Sequence, residues 1–268
     1  MRGSQRLLCG VTLLVRTAQN VGNAALGISS TVGQMAILLM RTLRRIHLFD
    51  RDELFRCLHK MAVRSLPIVI ATALFAGVIM VTQTALIVKR YGAHGLLGWG
   101  AGFGTLREIA PLLTALMISG RVGANNTAEL GTMVATEQID ALRVLAIDPI
   151  SFLIVPRFIG MVVTLVSMTL YADALALIGA AYTGDALLGV SPTTFYNGLT
   201  AGMLGFDAVA NGLIKALMFG IIVALSSCYY GLSTSGGAPG VGRSVNASVV
   251  TSAAGIFVVD YFVSFVIG

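Results

Sequence analysis

Charge is scarce in this sequence. Asp, Glu, Lys and Arg make up 11% of its 268 residues, against 56% hydrophobic. A soluble domain carries roughly a quarter charged residues. One soluble core cannot bury so much apolar surface, so lipid is the expected solvent. Cysteine is also sparse. Cys9, Cys57 and Cys228 are odd in number and scattered, which excludes a disulfide framework and a zinc-ligand spacing. The net charge of +6 is unevenly placed. Ten of the eighteen basic residues precede Ser65: Arg2, Arg6, Arg16, Arg41, Arg44, Arg45, Arg51, Arg56, Lys60 and Arg64. Such a basic arm fits an anionic membrane surface rather than a nucleic-acid groove. The apolar stretch Leu7 to Val15 has no small-x-small cleavage site behind it, and Leu8 before Cys9 is wrong for a lipoprotein signal. It is read as uncleaved.

Five stretches are long and apolar enough to cross a bilayer, which takes about 20 residues each. They run approximately from Leu66 to Val88, Leu96 to Ser119, Phe158 to Gly184, Ala208 to Tyr230 and Val245 to Ile267. Ala24 to Met40 is apolar but broken by Gly27, Ser29, Ser30, Thr31, Gly33 and Gln34, and reads as an interfacial helix. The expected organisation is an arm with that helix over 1–65 and a five-span domain over 66–268. With the N-terminus inside, fourteen basic residues lie on the cytoplasmic side and only Lys89 and Arg90 outside. That asymmetry puts the C-terminus outside and makes 120–157 the largest cytoplasmic loop. The alternating glycines from Gly95 to Gly104 suit close helix packing in lipid better than a dinucleotide fingerprint.

GGAPGVGRS, Gly236 to Ser244, nearly spells a phosphate-binding loop, with Arg243 where lysine belongs. Such a loop needs a strand before it and an acidic residue for magnesium. A membrane span precedes it here, so the glycines and Pro239 are expected to form a compact turn. Charges inside the spans carry more information. Arg107 and Glu108 lie in LREIAP, just before Pro111; Lys215 lies early in the fourth span. Neighbours on a helix point about 100° apart, so the two charges of the pair are free to seek different partners. These three residues fit either structural ion pairs or a polar pocket for an amphipathic or ionic substrate. Asp173 and Asp260 are assigned to structure.

The cytoplasmic loop contains an amphipathic segment. Thr136 is expected to cap a short helix, with Glu137 and Asp140 in its first turn. Ile139, Leu142 and Leu145 form an apolar stripe, with Glu137, Asp140 and Arg143 off it. Asp148-Pro149 stops the helix. The mixed charge of the polar face suits a protein partner's groove.

The run LREIAPLLTALMISGRVGANNTAELGTMVATEQIDALRVLAIDP, with VPR after it, resembles the central signature of the MlaE/YrbE permease family. TSGGAPGVGRSVNASVV resembles that family's second signature, ahead of the last span. The likeness runs from about Ile37 to the C-terminus. It implies an all-α membrane protein with five spans, an N-terminal interfacial helix and a short coupling helix. It implies a homodimer in a bacterial inner membrane, N-terminus cytoplasmic and C-terminus periplasmic. The chain would be the non-catalytic permease of an ABC transporter that moves phospholipid between that membrane and an MCE-domain protein hexamer, maintaining outer-membrane asymmetry. Some relatives carry sterols or other lipids. ATP and magnesium would be held by a separate cytoplasmic ATPase, often with a STAS-domain subunit, and this chain would bind no cofactor. The resemblance places Leu106, Arg107, Glu108 and Lys215 in a lipid cavity. It makes Glu137, Gln138, Ile139, Asp140, Leu142 and Arg143 part of the helix seated on the ATPase. The main rival is an ion-coupled secondary transporter using Glu108 and Asp173; a membrane scaffold is a third reading.

Overall fold

The structure, a computed structural model, describes residues 22–23, 26–27, 29–48, 51–92, 94–200 and 206–267. The start of the basic arm, including Cys9 and the Leu7–Val15 stretch, lies outside them, as do parts of the expected interfacial helix. Among the described residues there is no strand. Eight helices follow: α1 (29–44), α2 (Arg51–Tyr91), α3 (Leu97–Ala135), α4 (Gln138–Val144), α5 (Ile150–Leu188), α6 (Pro192–Thr200), α7 (Asp207–Leu232) and α8 (Gly237–Ile267). Of these, α2, α3, α5, α7 and α8 are long and apolar enough to cross a membrane, which bears out the five expected spans.

Charge placement suits α2. Asp52 and Glu53 stand in its first turn and Lys89 and Arg90 in its last, each favourable to the helix dipole. Its 41 residues extend about 60 Å, twice a hydrocarbon core of about 30 Å. The basic stretch Arg51 to Arg64 therefore belongs to the same helix as the first span.

The second span is also longer than its apolar run. It continues past Arg121 to Ala135, so the connection to the next span is much shorter than the cytoplasmic loop expected over 120–157. Polar residues do not end the helix because they find partners on it or beside it: Asn126 donates to Ser227 Oγ at 2.9 Å, and Thr127 to Ser248 Oγ at 2.9 Å. The helical ladder widens to π-turns at Thr105–Ile109, Ser119–Gly123 and Ile150–Ile154. Two of these end two residues before a proline, Pro111 and Pro156. A proline ring displaces the carbonyl four residues back, and the five-residue bond Ala110 N–H to Thr105 O accommodates it.

The core has a central part and one apolar cluster at each end. Val69, Ala115, Leu165, Phe219 and Ile256 fill the middle of the bundle. Leu38, Leu130, Ile139, Ile154 and Cys228 gather α1, α4 and the neighbouring ends of α3, α5 and α7. Val88, Leu97, Ala181 and Phe195 close the other end under α6. Helices α2 and α5 lie side by side and backbone to backbone, since a Cβ on Gly77 would run into the Ala176 carbonyl; α3 meets α6 in the same way, a Cβ on Gly98 running into the Phe195 carbonyl. Close approach is thus what the glycines supply. The end holding α1 and α4 is the one expected, from the placement of basic residues, to face the cytoplasm.

Candidate functional site

In the first third of α3, the π-turn Thr105–Ile109 sets the direction of two adjacent charges. Glu108 turns toward α7 and pairs with Lys215. Lys215 is 1% exposed, among the most buried large side chains of the fold. Its ammonium also lies 3.0 Å from Asp260 Oδ1 of α8, off the hydrogen-bonding axis, so this contact is Coulombic rather than a directed hydrogen bond. Ser264 donates to Glu108 Oε1 at 3.4 Å. One cation is therefore shared between two carboxylates from different helices. Isolated charge would be prohibitive here, and the cluster is tolerable because it is paired.

Arg107 goes elsewhere. Its guanidinium lies 5.3 Å from the Phe103 ring centre, a cation–π contact, and Phe103 stacks on Trp99 at 5.9 Å. Leu106 is buried at 5% exposure, and its carbonyl is crowded by Gly212 of α7. Of the four residues expected in the cavity, the structure brings Glu108 and Lys215 into contact and turns Arg107 and Leu106 away from them. Asp260, assigned to structure on sequence grounds, is the third member of the cluster. Its charge inside a span was the signal; its partner lies 45 positions back, and facing between helices is not written locally.

At the α4 end, the expected cap is corrected. Thr136 Oγ1 donates to the Thr132 carbonyl at 2.8 Å and so finishes α3 instead of starting α4. Glu137 precedes α4 in a left-handed conformation, φ 59°, with no side-chain cap. Gln138 and Asp140 are exposed, and Asp140 accepts from Arg143 at 2.8 Å. Ile139 is buried and Leu142 half-buried against the end cluster. Leu145, expected on that stripe, is 68% exposed beside Val144 at 86%, because the helix has ended and Ala146 reverses the chain at φ 58°.

Helix α1 is pinned over this region. Arg45 pairs with Asp148, and Tyr229 donates to Gln34 Oε1 at 2.8 Å. Burial works against the charged form of Asp148. The Ser151 backbone N–H and the Arg45 guanidinium outweigh that and hold the carboxyl below the usual carboxylate range.

The near-phosphate loop is not a free turn. Gly236 and Gly237, at φ 84° and 67°, make the turn, and GAPGVGRS forms the first two turns of α8. Helix α7, not a strand, precedes it.

A family model described as Permease MlaE matches residues 54–266. A Synechocystis protein named probable ABC transporter permease protein slr1045 is 38% identical over 215 residues, 80% of this chain and 81% of its own. A Rickettsia felis protein named probable ABC transporter permease protein is 31% identical over 259 residues, 94% of this chain and 98% of its own. The Arabidopsis thaliana protein trigalactosyldiacylglycerol 1, chloroplastic, is 35% identical over 207 residues, 77% of this chain and 59% of its own. With five membrane-crossing helices, a buried intramembrane ion cluster and a match over most of its length, the chain belongs to the MlaE permease family.

Proposed function

We propose that the chain is the permease subunit of an ATP-driven transporter whose cargo is a phospholipid, acting as a homodimer in a bacterial inner membrane. The observation that carries the cargo is the Lys215 cluster. A fully buried ammonium is shared by two carboxylates, of which Glu108 is 40% exposed and Asp260 21%. A lipid phosphate competes with Glu108, the more accessible partner, for Lys215. A headgroup amine is then received by the released carboxylate. Arg107, one position away but turned onto Phe103, is a second cation near the cluster. Phospholipid tails need apolar walls, which the exposed aliphatic and aromatic residues of α8 supply. The Arabidopsis relative's name is that of a glycerolipid, in keeping with a lipid cargo.

Energy comes from a separate ATPase that holds ATP and magnesium. Two relatives are named as permease proteins of ABC transporters. The apolar pair Val144 and Leu145, exposed at the end of α4 and outside the spans, suits a groove on such a partner. An MCE-domain assembly on the opposite face receives or delivers the lipid, and a STAS-domain subunit is a further candidate partner on the ATPase side.

The first test is mass spectrometry of proteins and lipids that co-purify in mild detergent. An ATPase, an MCE protein and phospholipid are expected together. Lys215→Asp is expected to lower the phospholipid-to-protein ratio; an unchanged ratio removes Lys215 from the cavity. One observation favours the rival, ion-coupled reading: Asp173 is buried at 4% exposure, with both carboxylate oxygens unpartnered among the described residues. Recovery of the chain alone from native membranes, in several detergents, would favour that reading.

A further inference from the structure

A second polar cluster stands at the other end of α3. Glu108 and Glu129 are 21 residues apart, about 30 Å along a helix axis. Around Glu129 opens a cleft of about 430 Å³, between the first turns of α2, the end of α3 and the start of α5. Five cations line it: Arg56, Lys60, Arg64, Arg121 and Arg157. Only two carboxylates, Glu53 and Glu129, oppose them.

The carboxylates are already engaged. Glu129 accepts from Lys60, from Asn125 at 2.7 Å and from Arg157 at 3.4 Å. Glu53 lies 3.8 Å from Arg56. Arg64 and Arg121 make no ion pair among the described residues. Arg157 is 9% exposed and donates to Asn126 Oδ1 at 2.8 Å, while its Nε–H has no acceptor. A buried guanidinium donor left without an acceptor is costly, and a cleft beside it is where an acceptor would enter.

The surroundings define the missing group. Cys57, Met61 and Val122 form an apolar floor continuous with the core. The apolar run of α2 begins at Leu66, two residues past Arg64. The cleft therefore sits at headgroup depth on the basic face. Surplus positive charge, forked N–H donors and an apolar floor suit a tetrahedral oxyanion with a hydrocarbon attachment. We propose that this cleft binds a phosphate group at the basic membrane face, as a site separate from the Lys215 cluster. Asn126 and Glu129 hold Arg157 in place, Arg157 Nε–H donates to the phosphate, and Arg64 and Arg121 close over it from the rim.

The test uses the full chain, with any co-purifying partners, in phosphatidylcholine nanodiscs. The probes are a phosphatidylglycerol carrying a photoreactive group near its headgroup, and inorganic phosphate followed by phosphorus NMR line broadening. Cross-links to peptides spanning 57–65 and 121–129 are expected. The double variant Arg64→Gln/Arg121→Gln should lower that labelling about tenfold, the loss of one charge-assisted hydrogen bond or so. Its thermal unfolding should match the parent, because both side chains are exposed. Arg157→Lys, which keeps the charge and removes Nε–H, should weaken labelling as well. Lipid labelling suppressed by millimolar phosphate supports a lipid source; line broadening without lipid labelling supports a soluble phosphate. Neither signal, or labelling undiminished in the double variant, overturns the proposal. So does a cross-linked acidic segment of a partner protein filling the cleft. The compensated triple variant Lys215→Met/Glu108→Gln/Asp260→Asn, which leaves no unpaired buried charge, should leave this labelling intact, so failure of the cavity reading and failure of this one are distinguishable.

Discussion

Lys215 is the residue whose loss the membrane interior should tolerate least. Lys215→Met leaves Glu108 and Asp260 facing each other without their cation. Breaking a buried ion pair costs about 3–5 kcal/mol, and the partial exposure of Glu108 argues for the lower end. Thermal unfolding in detergent should register a loss of about 3 kcal/mol. Adding Glu108→Gln and Asp260→Asn should restore most of that stability while bound phospholipid stays low. A single variant as stable as the parent would show that the carboxylates are satisfied without Lys215. The two strongest members of this cluster were legible in the sequence because a charge within an apolar run has few explanations. Their pairing was not. It depends on the rotation of α3, α7 and α8 about their axes, and that is fixed by packing over the whole bundle. Arg107 illustrates the point: adjacent to Glu108, it faces Phe103 instead of Lys215.

Packing sets the behaviour of whole elements. Gly77→Val drives a side chain into the Ala176 backbone of α5, which cannot yield as a flexible side chain can. Folded protein recovered by size exclusion should fall severalfold, a consequence of overpacking. Gly120→Ala, with open space around it, is the control and should be recovered normally. Helix α1 gives a pH prediction. Asp148 has its folded pKa below its unfolded value of about 3.9. Its tie to Arg45 therefore contributes fully above that value and is lost as pH falls through the lower, folded one. Hydrogen exchange over 29–44 should be unchanged in protection between pH 5 and 8, and loosen only below about pH 4. Asp148→Asn should loosen it at every pH. Loosening between pH 6 and 8 in the parent would assign the tie to another group. The spans themselves were legible because apolar runs of that length have one solvent. The extension of α3 to Ala135 was hidden, since Arg121, Asn125 and Asn126 end the apolar run without ending the helix. Asn125 donates to Glu129, Asn126 donates to Ser227 of α7, and Arg121 stays exposed at the cleft, so the helix continues without burying an unpaired charge.

On the proposed reading, the molecule as a whole separates its jobs along the membrane normal. The Lys215 cluster lies within the spans, whereas α4 lies at the end that also holds α1. Substitutions at the two places should then fail in opposite ways. Charge reversal of Glu137 and Asp140, or Val144→Glu at the exposed tip, should weaken ATPase association about tenfold, as expected for one anchor of an interface. None of these side chains is in the core, so the membrane part should remain folded with its phospholipid bound. The compensated triple variant Lys215→Met/Glu108→Gln/Asp260→Asn should do the reverse, keeping the ATPase and losing the lipid. The measurement is one purification per variant, scored for ATPase stoichiometry by gel and for phospholipid by mass spectrometry. If the α4 variants keep the ATPase, the exposed Val144–Leu145 pair serves something else, and the lipid surface is its next candidate. If they lose both ATPase and lipid, lipid retention itself depends on the partner. The cavity then exists only in the assembled transporter, with α4 part of what holds it open.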